Sequence, residues 1–111
     1  MVKWVAFLNP SSENECPTMS VCVGGEHVYV VGYEKSSGTK QWYIEKRDKD
    51  DGRLVKTWTR MTGSIAIRLM DCVVVGDSLY AAGDTYEVLS LSGYNWVILS
   101  LDLDLNFIKV K

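Results

Sequence analysis

The chain has 111 residues, 47% hydrophobic and 23% charged, with 12 Lys+Arg against 14 Asp+Glu for a formal net charge of −2. Four Trp, six Tyr and two Phe exclude a disordered chain, and the near balance of charge excludes a basic nucleic-acid footprint. No apolar run approaches the roughly 18 residues of a membrane span, and Asn9-Pro10 cuts the opening apolar run short of a signal-peptide core, so no membrane contact is expected and the location is read as cytoplasmic or unknown.

Short Val, Ile, Tyr and Trp runs broken by Gly, Asp and Ser, with no sustained helical period, predict an all-β chain. An extra strand is expected at about 2–8. Four strands follow at about 18–24, 27–33, 41–48 and 53–60, and a second four at 69–75, 78–84, 94–101 and 106–110. Gly24-Gly25-Glu26 and Gly76-Asp77 read as tight hairpins, because Gly supplies the positive φ such turns need. Asp50-Asp51-Gly52 and Leu105-Asn106 read as the turns into the last strand of each set.

The two sets repeat one another. Met19 to Gly32 lies over Met70 to Gly83, with Met, Val, Gly, Tyr and Gly recurring in register and Glu26 matched by Asp77. Gln41-Trp42 to Asp48 lies over Asn95-Trp96 to Asp102, and Leu54-Val55-Lys56 over Phe107-Ile108-Lys109. A shorter match places Val2-Lys3-Trp4 beside Val55-Lys56-Thr57-Trp58. Repeat 1 therefore covers about 18–60 and repeat 2 about 69–111, within one domain spanning 1–111, with a repeat period slightly over 50 residues. Strands 27–33 and 94–101 are apolar on both faces, the mark of a sheet covered on both sides. The fourth strand is more polar, and lysine recurs at 3, 56 and 109 as it does on protected sheet edges.

Gly25-Glu26, Val28-Tyr29-Val30-Val31-Gly32, Trp42 to Asp48 and Asp51-Gly52, with their second copies at Gly76-Asp77, Leu79-Tyr80, Gly83, Trp96 to Asp102 and Asn106, resemble the repeats of the short-repeat β-propeller families of bacteria and archaea. The resemblance covers almost the whole chain and implies two four-stranded antiparallel propeller-type blades plus the extra N-terminal strand. Residues Asp48 to Trp58 also resemble quinoprotein propeller repeats loosely, but the Gly-to-Trp spacing departs from theirs and no quinone site follows. Propellers have about 4–8 blades, so two blades imply completion by homo-oligomerisation, three copies being the expected ring. The alternative is a monomer folded as a two-sheet β-sandwich.

No catalytic set, metal site or cofactor is expected. His27 has no motif-placed nucleophile beside it. Cys16, Cys22 and Cys72 are odd in number and contain no C-x-x-C, so Cys22 and Cys72 read as small core hydrophobes. Asp48-x-Asp50-Asp51-Gly52 and Asp102-x-Asp104-x-Asn106 lack the later Glu of a calcium loop and read as solvated turns. Trp42 and Trp96, at matching positions, read as packing between blades rather than as a sugar platform.

The longer connections at 9–17, 34–40, 61–67 and 84–93 fall on one rim, where residues on a rigid scaffold meet ligands. Glu13, Asn14, Glu15, Glu34, Lys40, Thr62, Tyr86 and Glu87 are the candidate binding residues. The expected function is a non-enzymatic, self-assembling module that binds a protein or another ligand through this rim. One alternative is a saccharide-binding or small enzymatic site in the central channel or between chains. Another is a structural fragment of a longer propeller.

Overall fold

Eight strands are laid down in chain order, and the computed structural model describes them together with Trp4: residues 4, 18–36, 39–60, 65–86 and 94–110. The first four are β1 (Thr18–Gly24), β2 (His27–Ser36), β3 (Thr39–Asp48) and β4 (Leu54–Arg60). The second four are β5 (Ile65–Val75), β6 (Ser78–Tyr86), β7 (Tyr94–Asp102) and β8 (Phe107–Val110). Each set forms a four-stranded antiparallel sheet in sequence order, β1-β2-β3-β4 and β5-β6-β7-β8. Neither sheet closes on itself.

The two sheets share one register. Tyr33↔Trp42, Val31↔Ile44 and His27↔Asp48 in the first correspond to Asp84↔Trp96, Ala82↔Ile98 and Ser78↔Asp102 in the second. Gly25 and Gly76 hold positive φ of 61° and 59° at the β1–β2 and β5–β6 hairpins, as their sequence implies. Between β7 and β8 it is Leu105 that takes φ 61°. That conformation costs roughly 1–2 kcal/mol in a non-glycine residue. The buried Leu105 side chain, worth about 1.5–3 kcal/mol, offsets it.

The sheets pack face to face around one core. Tyr29, Val31, Trp42 and Ile44 come from the first sheet and Leu69, Leu79, Ala81, Leu99 and Leu101 from the second. Period-2 alternation puts each group on one face of its sheet. The strand of the second sheet lying closest to the first is β5, which runs against β1, β2 and β3. Polar groups pin the contact: Ser20 Oγ donates to Asp71 Oδ1 at 2.8 Å, and Tyr29 Oη to the Leu103 carbonyl at 2.8 Å. Trp42 Nε1 donates to the Asp84 carbonyl at 3.1 Å, and the Trp58 and Phe107 rings stack at 6.0 Å.

Several boundaries differ from the sequence expectation. Residues 34–36 and 39–40 of the expected connection are paired strand residues, with Lys35↔Lys40 and Ser36↔Thr39 in register, and 37–38 lie outside the described residues. The ladder runs on because Tyr33 sits opposite Trp42 and Gln41 Nε2 donates to Glu34 Oε1 at 2.8 Å. Likewise β5 starts at Ile65, absorbing two irregularities between Ala66 and Asp71, and β6 runs on to Tyr86. Of the strand expected at 2–8, only Trp4 is described, and it belongs to no strand. Burial on both faces does not hold for 94–101: Leu99 and Leu101 are buried, but Trp96 and Ile98 face out at 93% and 55% exposure. Lys56 is more than an edge charge, since its Nζ crosses to the Asp104 carbonyl at 2.6 Å; Lys3 lies outside the described residues.

Candidate functional site

The rim expected from sequence is only partly described. Glu13, Asn14, Glu15, Thr62 and Glu87 lie outside the described residues. Lys40 and Tyr86 are strand residues near the ends of β3 and β6, and Glu34 lies near the end of β2. The half-buried Glu34 carboxylate already accepts from Gln41. Strand pairing therefore brings Glu34 and Lys40 to one end of one hairpin.

At the opposite, short-turn end, Asp48 and Asp102 organise their own turns. Asp48 Oδ1 accepts the Asp50 N–H at 2.8 Å and the Asp51 N–H at 3.3 Å. Asp102 Oδ1 accepts the Asn106 N–H at 2.8 Å and the Asp104 N–H at 3.0 Å, and Asn106 Nδ2 donates to Oδ2. These donors, the Asp50 N–H foremost for Asp48 and the Asn106 N–H for Asp102, hold both carboxyls below the usual carboxylate range. Their stabilising contribution is present above the ordinary carboxylate pKa and is lost as pH falls through the depressed value. Thermal melts should therefore show a midpoint that drops below about pH 4, with a shallower acid limb in Asp102→Asn; an unchanged limb would remove Asp102 from that role.

Two half-buried thiols meet between the sheets. Cys22 on β1 and Cys72 on β5 hydrogen-bond with one another, which lowers the Cys22 thiol; that bond and burial hold the Cys72 thiol well above its usual range. The Tyr29 carbonyl, 3.9 Å from Cys72 Sγ, is the other acceptor within reach of that single S–H. Their sequence reading as core hydrophobes thus omits a contact between them. The Tyr29 hydroxyl is pushed up to about 12, first by burial and then by Asp104.

The outer face of the first sheet carries a polar cluster that sequence reading missed. Tyr43, Glu45 and Arg47 alternate along β3 and share that face. Glu45 is fully buried, its Oε1 2.7 Å from Arg47 Nε and its Oε2 accepting from Tyr43 Oη at 2.6 Å. Arg47 Nη1 donates on to the Gly52 carbonyl at 2.7 Å. Burial first, and then the bond to Glu45, raises the Tyr43 hydroxyl far above its usual value. The available signal was opposite charges two residues apart on a strand beside a tyrosine.

At the edge of this cluster stands Trp4, whose Nε1 donates to the Lys49 carbonyl at 2.9 Å. Its ring lies where a Gly52 side chain would begin, and Gly52 has φ 76°. Lys49 follows Asp48 as Leu103 follows Asp102, so Trp4 holds on the first sheet the place Tyr29 holds on the second.

The outer face of the second sheet is different. Val73, Tyr80, Ala82, Trp96 and Ile98 lie exposed on it, around a shallow cavity of about 250 Å³ floored by Asp71, Cys72 and Ala81. Asp84, in an ion pair with Arg68 at 3.6 Å, has a buried Oδ1 without a hydrogen-bond partner at the margin of this face. Trp42, by contrast, is 1% exposed between the sheets. The matching tryptophans therefore have opposite environments, and the packing expectation holds within the chain for Trp42 alone. Among the described residues no group of three or more His, Cys, Asp or Glu is placed to hold a metal ion, and no helix is long and apolar enough to cross a membrane.

No model of a known protein family matches this sequence, and no functionally curated protein does.

Proposed function

We propose that the chain is a non-enzymatic, self-assembling module of the β-propeller type, its two sheets acting as blades in a ring completed by further copies. Three copies are the expected number. One observation supports assembly. Tyr29, Val31, Trp42 and Ile44, which bury the inner face of the first sheet, align with Tyr80, Ala82, Trp96 and Ile98, which face outward from the second. A self-contained sandwich of two related sheets would turn equivalent faces toward each other, in the isologous manner. Here the second sheet presents again the face that the first one buries, so the stacking is head-to-tail and one end is open. An open apolar sheet face of this kind marks an interaction surface.

The test is absolute mass by light scattering over a dilution series. A stable trimer is the expected result, and a well-folded monomer at every concentration would replace the ring with the two-sheet sandwich.

The ligand-binding part of this reading belongs to the rim around Glu34, Lys40, Tyr86 and Glu87. Peptide and glycan arrays probed with the assembled chain should give a ligand lost on combined Glu34→Ala, Lys40→Ala and Glu87→Ala substitution, with mass unchanged. Binding that survives the triple change moves the site off the rim. A second reading, saccharide binding, is favoured by the exposed indole of Trp96 on the same face as Tyr80, a flat platform for a sugar ring. The two readings part at this residue: assembly covers Trp96, whereas sugar stacking needs it open.

A further inference from the structure

The interface inside the chain has a definite grammar. The strand β5 lies against β1, β2 and β3, turning its inward residues onto the first sheet. Val74 reaches Gly24 so closely that a Cβ there would stand 2.9 Å from Cγ1. Cys72 contacts Cys22 and the Tyr29 carbonyl. Farther out, long side chains fill the space between the sheets: Tyr29, Trp42, Lys46 and Lys56 all reach polar atoms of the second sheet or its turn.

The groups of the close β5 contact recur on the two outer faces, while farther out Ser100 stands at the position of Lys46. In the sequence alignment Cys72 and Val74 lie over Val21 and Val23, which are 59% and 58% exposed on the outer face of β1. Beside them Val28 and Val30 lie over Leu79 and Ala81. The receiving positions, Cys22, Gly24, Tyr29 and Ile44, lie under Val73, Val75, Tyr80 and Ile98 of the open second sheet. The cavity between Val73, Tyr80, Ala82 and Ile98 is where the counterpart of Cys72 would sit.

We infer that a second copy of this chain docks through β1, seating Val21 in the cavity lined by Val73, Tyr80, Ala82 and Ile98 and Val23 against Val75. This rests on the self-assembly reading and adds which face meets which. The same geometry directs Trp96 Nε1 to the Tyr33 carbonyl of the incoming copy, as Trp42 Nε1 meets the Asp84 carbonyl within the chain. The Lys49 carbonyl of the incoming copy, the counterpart of the Leu103 carbonyl that Tyr29 meets, is already taken by Trp4, so docking through β1 forgoes a matching Tyr80 contact and leaves Trp4 and the buried Tyr43–Glu45–Arg47 cluster in place. They lie over β3 and its turn, whereas the closest approach falls on β1. The contact is heterologous, so each copy gives one face and receives on the other.

Two single substitutions test the arrangement. Val21→Asp removes the giving face and Ile98→Asp the receiving one, and both positions are exposed in the chain, where surface changes normally move stability by less than about 0.5 kcal/mol. Each variant alone should remain monomeric at concentrations where the wild type assembles, its self-affinity weakened about 100-fold by an unpaired charge in the contact. Mixed in equal amounts, they should form a 1:1 dimer and stop there, because the intact face of each fits the other. Circular dichroism checks folding, and Val21→Ser with Ile98→Ser repeats the mixing test should an aspartate unfold the chain. Assembly surviving Val21→Asp, or a mixture that stays monomeric, overturns the docking mode while leaving self-assembly standing. A monomeric wild type overturns both.

Discussion

Replacing Glu45 with alanine should destabilise the chain by about 3–5 kcal/mol, because it strands the Arg47 guanidinium in a buried site. Arg47 Nε lies 2.7 Å from Glu45 Oε1, and only the Gly52 carbonyl would remain to receive its guanidinium among the partners described here. Tyr43 Oη would lose its acceptor at the same time, adding the cost of a buried unsatisfied hydroxyl. For a domain near 100 residues, about 1 kcal/mol moves Tm by roughly 4–8 °C, so thermal melts should show a fall of more than about 12 °C. Total stabilities of such domains are about 5–15 kcal/mol, so Glu45→Ala removes a large share of the total; Glu45→Gln keeps the shape and a hydrogen-bond acceptor and should lose less. The double change Glu45→Leu with Arg47→Met should recover most of the loss, since an apolar pair of similar volume is often no worse than a buried ion pair. A loss below about 1 kcal/mol in Glu45→Ala would mean that water reaches the pair.

How far the sequence was legible depended on which physical signal each segment carries. The strand at 18–24 ends at Gly24 because the hairpin glycine is local information, and β1 spans those residues. The stretch 34–40 reads as a connection, yet the Tyr33–Trp42 and Glu34–Gln41 pairings extend the hairpin to Ser36 and Thr39. Those pairings are cross-strand and appear only once register is known. The alternating pattern of 94–101 shows two apolar faces, but alternation cannot say whether the second face is covered within one chain. Glu45 and Arg47 look like solvated strand charges until Tyr43 and the β3–β4 turn are folded onto them. Of the expected rim, strand pairing accounts for the neighbourhood of Glu34 and Lys40; Glu13, Asn14, Glu15, Thr62 and Glu87 fall outside the described residues.

The second large effect compares one residue type at two aligned positions. Trp42→Ala should cost about 3–5 kcal/mol, the usual range for removing a large buried aromatic side chain. Trp42 is 1% exposed, packs in the core and donates to the Asp84 carbonyl, so a cavity opens and that carbonyl loses a donor. Trp96→Ala removes the same side chain at 93% exposure and should change the stability of the isolated chain by less than about 0.5 kcal/mol. Chemical denaturation at high dilution measures this contrast directly, since the slope with denaturant should stay the same and only the midpoint should move. Repeating the measurement where copies associate separates the two roles. If Trp96 enters a copy-to-copy interface, its loss lowers the midpoint only at high concentration, because association stabilises the folded state by mass action. A concentration-independent midpoint in both wild type and Trp96→Ala would leave the tryptophan without an assembly role and return the open face to the saccharide reading. A Trp42→Ala cost as small as that of Trp96→Ala would instead remove the sheet-to-sheet core from which the head-to-tail argument starts.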